Sequence, residues 1–329
     1  MSISRRRFLS LTGAGLAASS LPSLLSANQG SQLTIWGPPI GPSITLAHVA
    51  ANGTSRSHID HLDFKVWRTP DQLRSGIISG DMQLSGIPSY VGANLYNKGI
   101  PVQLMNILTW GLLYIVSTDG SIKSIADIAG KTITMPFKND MPDLVFKYIT
   151  EKAGMVNGKD FTLNYASTPL EVVQMMLSGR ADICILPEPA ATAAMLKGHS
   201  KGLQIHRSIS IQEAWGEATG GSPRIPQAGL LVNRQLVDTS PDLLRAIQQD
   251  CVTSSAWAIN NPAEAGVLAQ DYIGIKAKIT EKSMPFINLD ATPAQTAKKE
   301  LESFFAKLAE LSPAIIGGKL PDNDFYLDL

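Results

Sequence analysis

The sequence has little cysteine, no excess charge and no long apolar span, and each shortage closes off a class of function. Two cysteines in 329 residues cannot build a disulfide framework, a four-cysteine zinc site or an iron–sulfur cluster. Lys and Arg together number 28, as do Asp and Glu, so there is no basic footprint for nucleic acid. Neither G-x-S-x-G nor S-x-x-K occurs, which removes two common serine-nucleophile signatures. Gly130-Lys131-Thr132 has the ending of a phosphate loop, but position 125 is Ile where that loop needs Gly. What is present is a chain with 44% hydrophobic and 17% charged residues, able to bury a real core. At about 150 residues per domain, its length fits two domains or one large one.

The N-terminus reads as an address. Arg5, Arg6 and Arg7 precede Phe8 and Leu9, and an apolar, small-residue run follows from Leu11 to Leu25. This is an export-signal pattern, of the twin-arginine kind that serves folded proteins. Gly13, Gly15, Ser19, Ser20 and Pro22 interrupt the run, leaving it short of the roughly 20 apolar residues of a membrane span. Gly13-Ala14-Gly15-Leu16-Ala17-Ala18 matches a dinucleotide fingerprint but has no strand before it. Cleavage is expected after Ala27. It would remove three arginines and no acid, turning the balanced charge into an acidic excess of three.

Helix starts are legible in the rest of the chain. Thr69-Pro70-Asp71-Gln72, Thr168-Pro169-Leu170-Glu171, Asn261-Pro262-Ala263-Glu264 and Thr292-Pro293-Ala294-Gln295 each place a capping side chain before Pro. Ser240-Pro241-Asp242 is a partial version. Short apolar runs lie between them: Leu33–Trp36, Phe64–Trp67, Met82–Ile87, Val102–Leu108, Leu112–Ser117, Thr132–Met135, Phe161–Tyr165, Ile183–Leu186, Leu203–His206 and Gly229–Asn233. Alternating strands and helices predict an α/β protein. Residues 69–88 align without gaps on 168–187, with identities at the cap, the Pro, the Ser-Gly stop and the strand end. The repeat predicts two lobes of one plan. Ligands of such sheets bind beyond the C-terminal strand ends. The loops Gly37–Ser43 and Pro136–Met141 then pair in role, as do Pro88–Tyr90 and Pro187–Pro189.

Four stretches carry a resemblance to the periplasmic solute-binding proteins of ABC importers, of the nitrate/sulfonate/taurine type. They are Ile122–Ile133 with its Asp127 and Gly130-Lys131, Thr168–Pro189 with its Gly179-Arg180-Ala181-Asp182 turn and Glu188-Pro189 ending, Gln227–Val232, and Trp257–Ala265 with its Asn261-Pro262 junction. The resemblance spans about residues 32–310. It implies a two-lobed, type II periplasmic binding protein-like fold, each lobe a mixed β-sheet flanked by helices, with a hinge of two crossover strands. Lobe 1 would be residues 28–117 plus 226–329, and lobe 2 residues 118–225. It also implies a monomeric periplasmic protein without catalysis, cofactor or metal, which captures a small organic or anionic solute and passes it to an inner-membrane ABC permease. Two other readings stay open: an exported enzyme, since a pyrimidine-synthase family shares the lobe architecture, and a ligand-sensing module.

Candidate ligand contacts follow from the strand-end loops. Pro39, Ile40 and Ser43 lie in the first, and Ser89 and Tyr90 open a helix, where Ser89 is either a ligand hydroxyl or only a cap. Trp110 stands near the first crossing, either stacking on ligand or packing the hinge. Lys138, Asn139, Asp140 and Met141 form a charged turn where many relatives that bind oxyanions carry Gly, Ser or Thr, and Asp140 is also a candidate cap for the helix starting near Pro142. Glu188 is expected to accept hydrogen bonds from a ligand amine or ring N–H. Trp215 sits in a glycine-rich stretch and reads as a mobile cleft wall. Trp36 reads as core. His58, Asp60, His61 and Asp63 are metal-capable types but read as a solvated loop. Cys184, in a strand, and Cys251, in a helix, read as free buried thiols.

Overall fold

A computed structural model describes residues 31–329; the export-like segment with Arg5–Arg6 and Ala27 lies outside the described residues. Two sheets organise the chain. The first third supplies β1 (Gln32–Gly37), α1 (Ser43–Asn52), β2 (His61–Val66), α2 (Pro70–Ser79), β3 (Leu84–Pro88), α3 (Ser89–Asn97) and β4 (Val102–Thr109). The chain then crosses to β5 (Leu113–Ser117), β6 (Thr132–Pro136), α4 (Met141–Lys152), β7 (Thr162–Ala166), α5 (Pro169–Leu177), β8 (Ile183–Pro187), α6 (Ala190–His199), β9 (His206–Ser210) and α7 (Ile211–Thr219). It returns through β10 (Ala228–Asn233), α8 (Arg234–Thr239), α9 (Pro241–Asn260), α10 (Pro262–Tyr272), α11 (Ala277–Ser283), β11 (Leu289–Pro293) and α12 (Ala294–Leu311). Among the described residues no helix is long and apolar enough to cross a membrane.

The strand orders are β11-β4-β10-β3-β1-β2 and β7-β6-β8-β5-β9. Reversing the second lays β9, β5, β8, β6 and β7 against β4, β10, β3, β1 and β2, so the lobes share one plan. In each, two strands run parallel to a central one, while β10 and β5 are inserted antiparallel beside β3 and β8. The inserted strand is the first one made after a crossing. The lobe boundary therefore differs from the expected one after residue 117. β5 pairs with β8 and β9 in the second sheet, so the first crossing is Trp110–Leu112.

The repeated helix–strand units show how the sequence builds the plan. Thr69 Oγ1 accepts from the Gln72 N–H at 3.1 Å, and Gln72 Oε1 accepts from the Arg68 N–H at 2.8 Å. Thr168 and Glu171 repeat this, with Glu171 returning its bond to the Ser167 N–H. Such a cap is worth about 1 kcal/mol. Both helices then stop next to a left-handed glycine, Gly80 (φ 83°) and Gly179 (φ 71°). The Thr292–Pro293 signal is a different object. Pro293 ends β11, the helix begins at Ala294, and Thr292 bonds Asp290 instead of capping. β9 also starts at His206, three residues later than the expected run at Leu203.

The two crossings are stitched together. The Ile225 and Gln227 N–H groups donate to the Trp110 and Thr109 carbonyls at 3.2 and 3.1 Å, and Gln227 Oε1 accepts from the Leu112 N–H. Gly229, where β10 bulges over β4, leaves no room for a side chain: a Cβ there would lie 1.8 Å from the Asn106 carbonyl oxygen. The close approach seats the return strand between β3 and β4.

Candidate functional site

The strand-end loops of the two lobes meet around this crossing. β3 ends at Pro88 and delivers Tyr90 on the first turn of α3; β6 ends at Pro136 and delivers Asp140 as the cap of α4. The Tyr90 hydroxyl donates to Asp140 Oδ1, bridging the lobes. Tyr90 is buried, and burial followed by the Asp140 charge pushes its phenol well above the ordinary range. It therefore stays a neutral donor to the carboxylate. The same Oδ1 accepts from the Met141 N–H at 2.9 Å, and Met141 is buried beneath it.

The turn holding Asp140 is rigid for a reason its own residues do not reveal. Phe137 and Asn139 both adopt left-handed backbone (φ 66° and 59°), which is costly for Phe. Asp143, fully buried, binds the Asn139 N–H at 2.7 Å, Lys147 Nζ at 2.9 Å and the Tyr165 hydroxyl at 2.9 Å. Lys138 lies over the Tyr165 ring at 5.3 Å. The turn is fixed from below before any solute arrives.

Glu188 is held by a partner 19 positions away in the chain. Its carboxylate is fully buried and receives Arg207 through Nε, at 3.1 Å, and through Nη2; the Thr192 N–H reaches the other oxygen at 3.1 Å. Burial raises its pKa above the usual carboxylate range, opposed by Arg207. Arg207 in turn lies 3.5 Å from the Phe286 ring centre and 5.1 Å from that of Tyr114. Phe286 belongs to lobe 1, and its carbonyl accepts from the Tyr114 hydroxyl of lobe 2 at 3.0 Å. The ion pair is thus roofed by an aromatic ring from the opposite lobe.

Ile287, next to Phe286, fills the space beside the first loop: a Cβ on Gly41 would meet its side chain at 2.6 Å. In that loop Pro39 is exposed, Ile40 half-buried and Ser43 buried, with Ser43 Oγ donating to the Pro38 carbonyl. Ser89 is buried and donates its hydroxyl to the Pro226 carbonyl. Both serine hydroxyl protons are therefore spent on backbone carbonyls. Trp110 is 4% exposed, stacked under Arg224 at 3.4 Å, and its indole N–H is buried without a partner.

Trp215 is a correction. It lies inside α7 and is 4% exposed, packed on Tyr148 of α4 and Phe304 of α12. The glycines that suggested a loop are the helix stop at Gly220 and Gly221 beyond it, while Gly216 lies against the Pro223 backbone. Trp36 is half-buried, with Lys65 over its ring at 5.9 Å. His61 and Asp63 are an exposed pair at 3.4 Å, and no metal-holding group occurs among the described residues. Cys184 and Cys251 are free and buried, and burial pushes both thiols up to about 12. The sequence reading missed Arg207, Asp143, Phe286 and Tyr114. The residues around each of them in the sequence offer no signal, because their partners lie far away in the chain.

A family model described as NMT1/THI5 like matches residues 95–265. No curated protein matches the chain in sequence. Among solved structures, an ABC transporter from Parabacteroides distasonis is 22% identical, with a TM-score of 0.76 over 91% of this chain and 99% of that one. The periplasmic aliphatic sulphonate binding protein SsuA from Escherichia coli is 12% identical, with a TM-score of 0.70 over 91% and 92%. The periplasmic nitrate-binding protein NrtA from Synechocystis is 13% identical, with a TM-score of 0.63 over 86% and 82%. The two-lobed, periplasmic binding protein-like architecture expected from the sequence is the one observed.

Proposed function

The chain belongs to the NMT1/THI5-like family, and on that premise we propose that it is the solute-binding component of an ABC importer. It captures a small organic or anionic solute between its lobes and hands it to a membrane permease, without catalysis. One observation carries the reading. Strand-end loops of both lobes converge on the crossing, and Tyr90 of one bonds Asp140 of the other, as a cleft that closes over a solute requires. The proteins of like fold named for sulphonate and nitrate binding support it. So does the twin-arginine-like start at Arg5–Arg6, which in this reading directs a folded monomer to the periplasm, with cleavage after Ala27.

The solute-facing set in this proposal is Pro39, Ile40, Tyr90, Trp110, Asn139, Asp140 and Met141. Ser43, Ser89, Glu188 and Trp215 support it from behind, because their polar atoms or rings are already engaged. The Glu188–Arg207 pair cancels its own charge, whereas Asp140, bonded to the Tyr90 hydroxyl and the Met141 N–H, has no cationic partner among the described residues.

Thermal-shift screening of the mature protein tests the proposal, using nitrate, alkanesulfonates, pyrimidines, amines and aromatic carboxylates. A solute at a hundred times its dissociation constant stabilises by about 2.7 kcal/mol. At least one class is expected to raise Tm and to alter the solution-scattering profile. Silence across all five classes would sink the closing-cleft reading.

A further inference from the structure

The crossing Trp110–Leu112 is flanked on both sides. On one side it is bonded to the returning segment at Ile225 and Gln227. On the other side run residues 286–288, the short link between α11 and β11. Both neighbours of this link belong to lobe 1, so it reaches lobe 2 only through non-covalent contacts.

Its three residues hold three different parts of the molecule. The Phe286 carbonyl accepts from the Tyr114 hydroxyl of lobe 2 at 3.0 Å, and the Phe286 ring lies on Arg207 at 3.5 Å. Burial pushes the Tyr114 phenol up to about 12, so it stays a donor at neutral pH. The Ile287 carbonyl accepts from Thr109 Oγ1 at the end of β4, and its side chain is fully buried in the core of lobe 1. Asn288 takes the crossing itself. Its carbonyl accepts from the Trp110 N–H at 3.0 Å, and its Nδ2 donates to the Gly111 carbonyl at 2.6 Å. One residue of lobe 1 thus satisfies a backbone group on each of two successive residues of the crossing.

The residue type at 288 fits this task. Its backbone is left-handed, with φ 52°, a conformation that Gly and Asn both adopt. Glycine would serve the turn as well, but only Asn adds a donor for Gly111. Gly111 is itself in positive-φ backbone (104°), and a Cβ there would meet the Gln212 side chain at 2.8 Å. The clamp therefore closes on the one residue of the crossing whose backbone needs glycine. Asn288 is exposed, so water can take over its bond when the lobes rotate.

We propose that residues 286–288 form a third, non-covalent strut of the hinge, and that Asn288 is the positioning residue through which lobe 1 sets the angle of lobe 2. The strut goes beyond solute capture, since it acts whatever the cleft takes. The test is a spin-label distance measurement on the solute-free mature protein. Labels go on Ile78→Cys and Leu170→Cys, exposed positions on α2 of lobe 1 and α5 of lobe 2. Cys184 and Cys251 are buried and stay unlabelled. Asn288→Gly keeps the left-handed backbone and removes the donor. Asn288→Asp also removes the donor, and keeps a side chain that tolerates this backbone. Both variants are expected to raise the population of separations outside the wild-type range about two- to tenfold, as the net worth of one hydrogen bond allows. Coincident or narrower distributions overturn the proposal, whether or not Tm falls. A change in Asn288→Gly alone also overturns it, by assigning the effect to backbone freedom. A change in Asn288→Asp alone does the same, by assigning it to charge. Each of these failures leaves the solute-binding reading standing.

Discussion

Arg207 illustrates how one side chain ties distant pieces of sequence together. It neutralises Glu188, holds Thr192 and carries the Phe286 ring on its face. Arg207→Met keeps the apolar stem but strands a buried carboxylate. Breaking a buried pair in this way costs about 3–5 kcal/mol, so denaturant unfolding is expected to show a loss of that size. The double variant Arg207→Met, Glu188→Gln is expected to recover part of it. A single variant as stable as the wild type would refute the assignment. The contrast between Glu188 and Arg207 shows what one chain can disclose. Glu188 stands between two prolines at a strand end, where backbone geometry is local, and was visible in the sequence. Arg207 and Asp143 act through space on loops that nothing in their own neighbourhood announces.

Elements announce themselves through their ends, and fail to when an end serves another purpose. The caps at Thr69 and Thr168 were readable because the hydrogen bond lies within four residues. β11 was not, because its short run Leu289–Pro293 has meaning only beside β4. α9 is anchored by a similar long-range contact. Asp250 accepts from the Thr54 N–H at 3.0 Å, the Thr54 hydroxyl at 2.8 Å and the Ser55 N–H at 2.7 Å. Burial pushes its pKa up, yet the bonds from Ser55 and Thr54 outweigh it and hold the group below 3.8. A depressed carboxylate stabilises the fold above its unfolded pKa, and that contribution disappears as pH falls through 3.8 toward the lower folded value. Asp250→Asn is expected to cost about 1.5–3 kcal/mol at neutral pH, the scale of hydrogen bonds to a charged group. It is also expected to flatten the acid limb of a Tm–pH curve, and an unchanged limb would count against this anchor.

The whole molecule is governed by the junction between its lobes. The repeat made two lobes legible, but a strand that pairs on the far side of a crossing looks in sequence like one on the near side, so the boundary was misplaced by β5. The Tyr90–Asp140 bond joins the lobes at the rim of the cleft. Removing it with Tyr90→Phe keeps the ring packing and deletes the hydroxyl that makes this bond. The variant is expected to be more open in solution scattering, with a larger radius of gyration than the wild type under identical conditions. Identical profiles would mean that closure rests on Phe286 and Trp215 instead.

The insertion of β10 and β5 has a consequence for the order in which the molecule can be made. Lobe 2 is a continuous stretch: its sheet has every strand once Ser210 has left the ribosome. Lobe 1 cannot close then, because β10 must still wedge between β3 and β4, and the partner of Leu104 in the Leu104–Tyr326 bridge lies later still along the chain. The earliest-made strands are therefore the last to be finished. A nascent chain carries a completed second lobe beside an unsealed first one, whose core strand β4 lacks a neighbour until β10 is made.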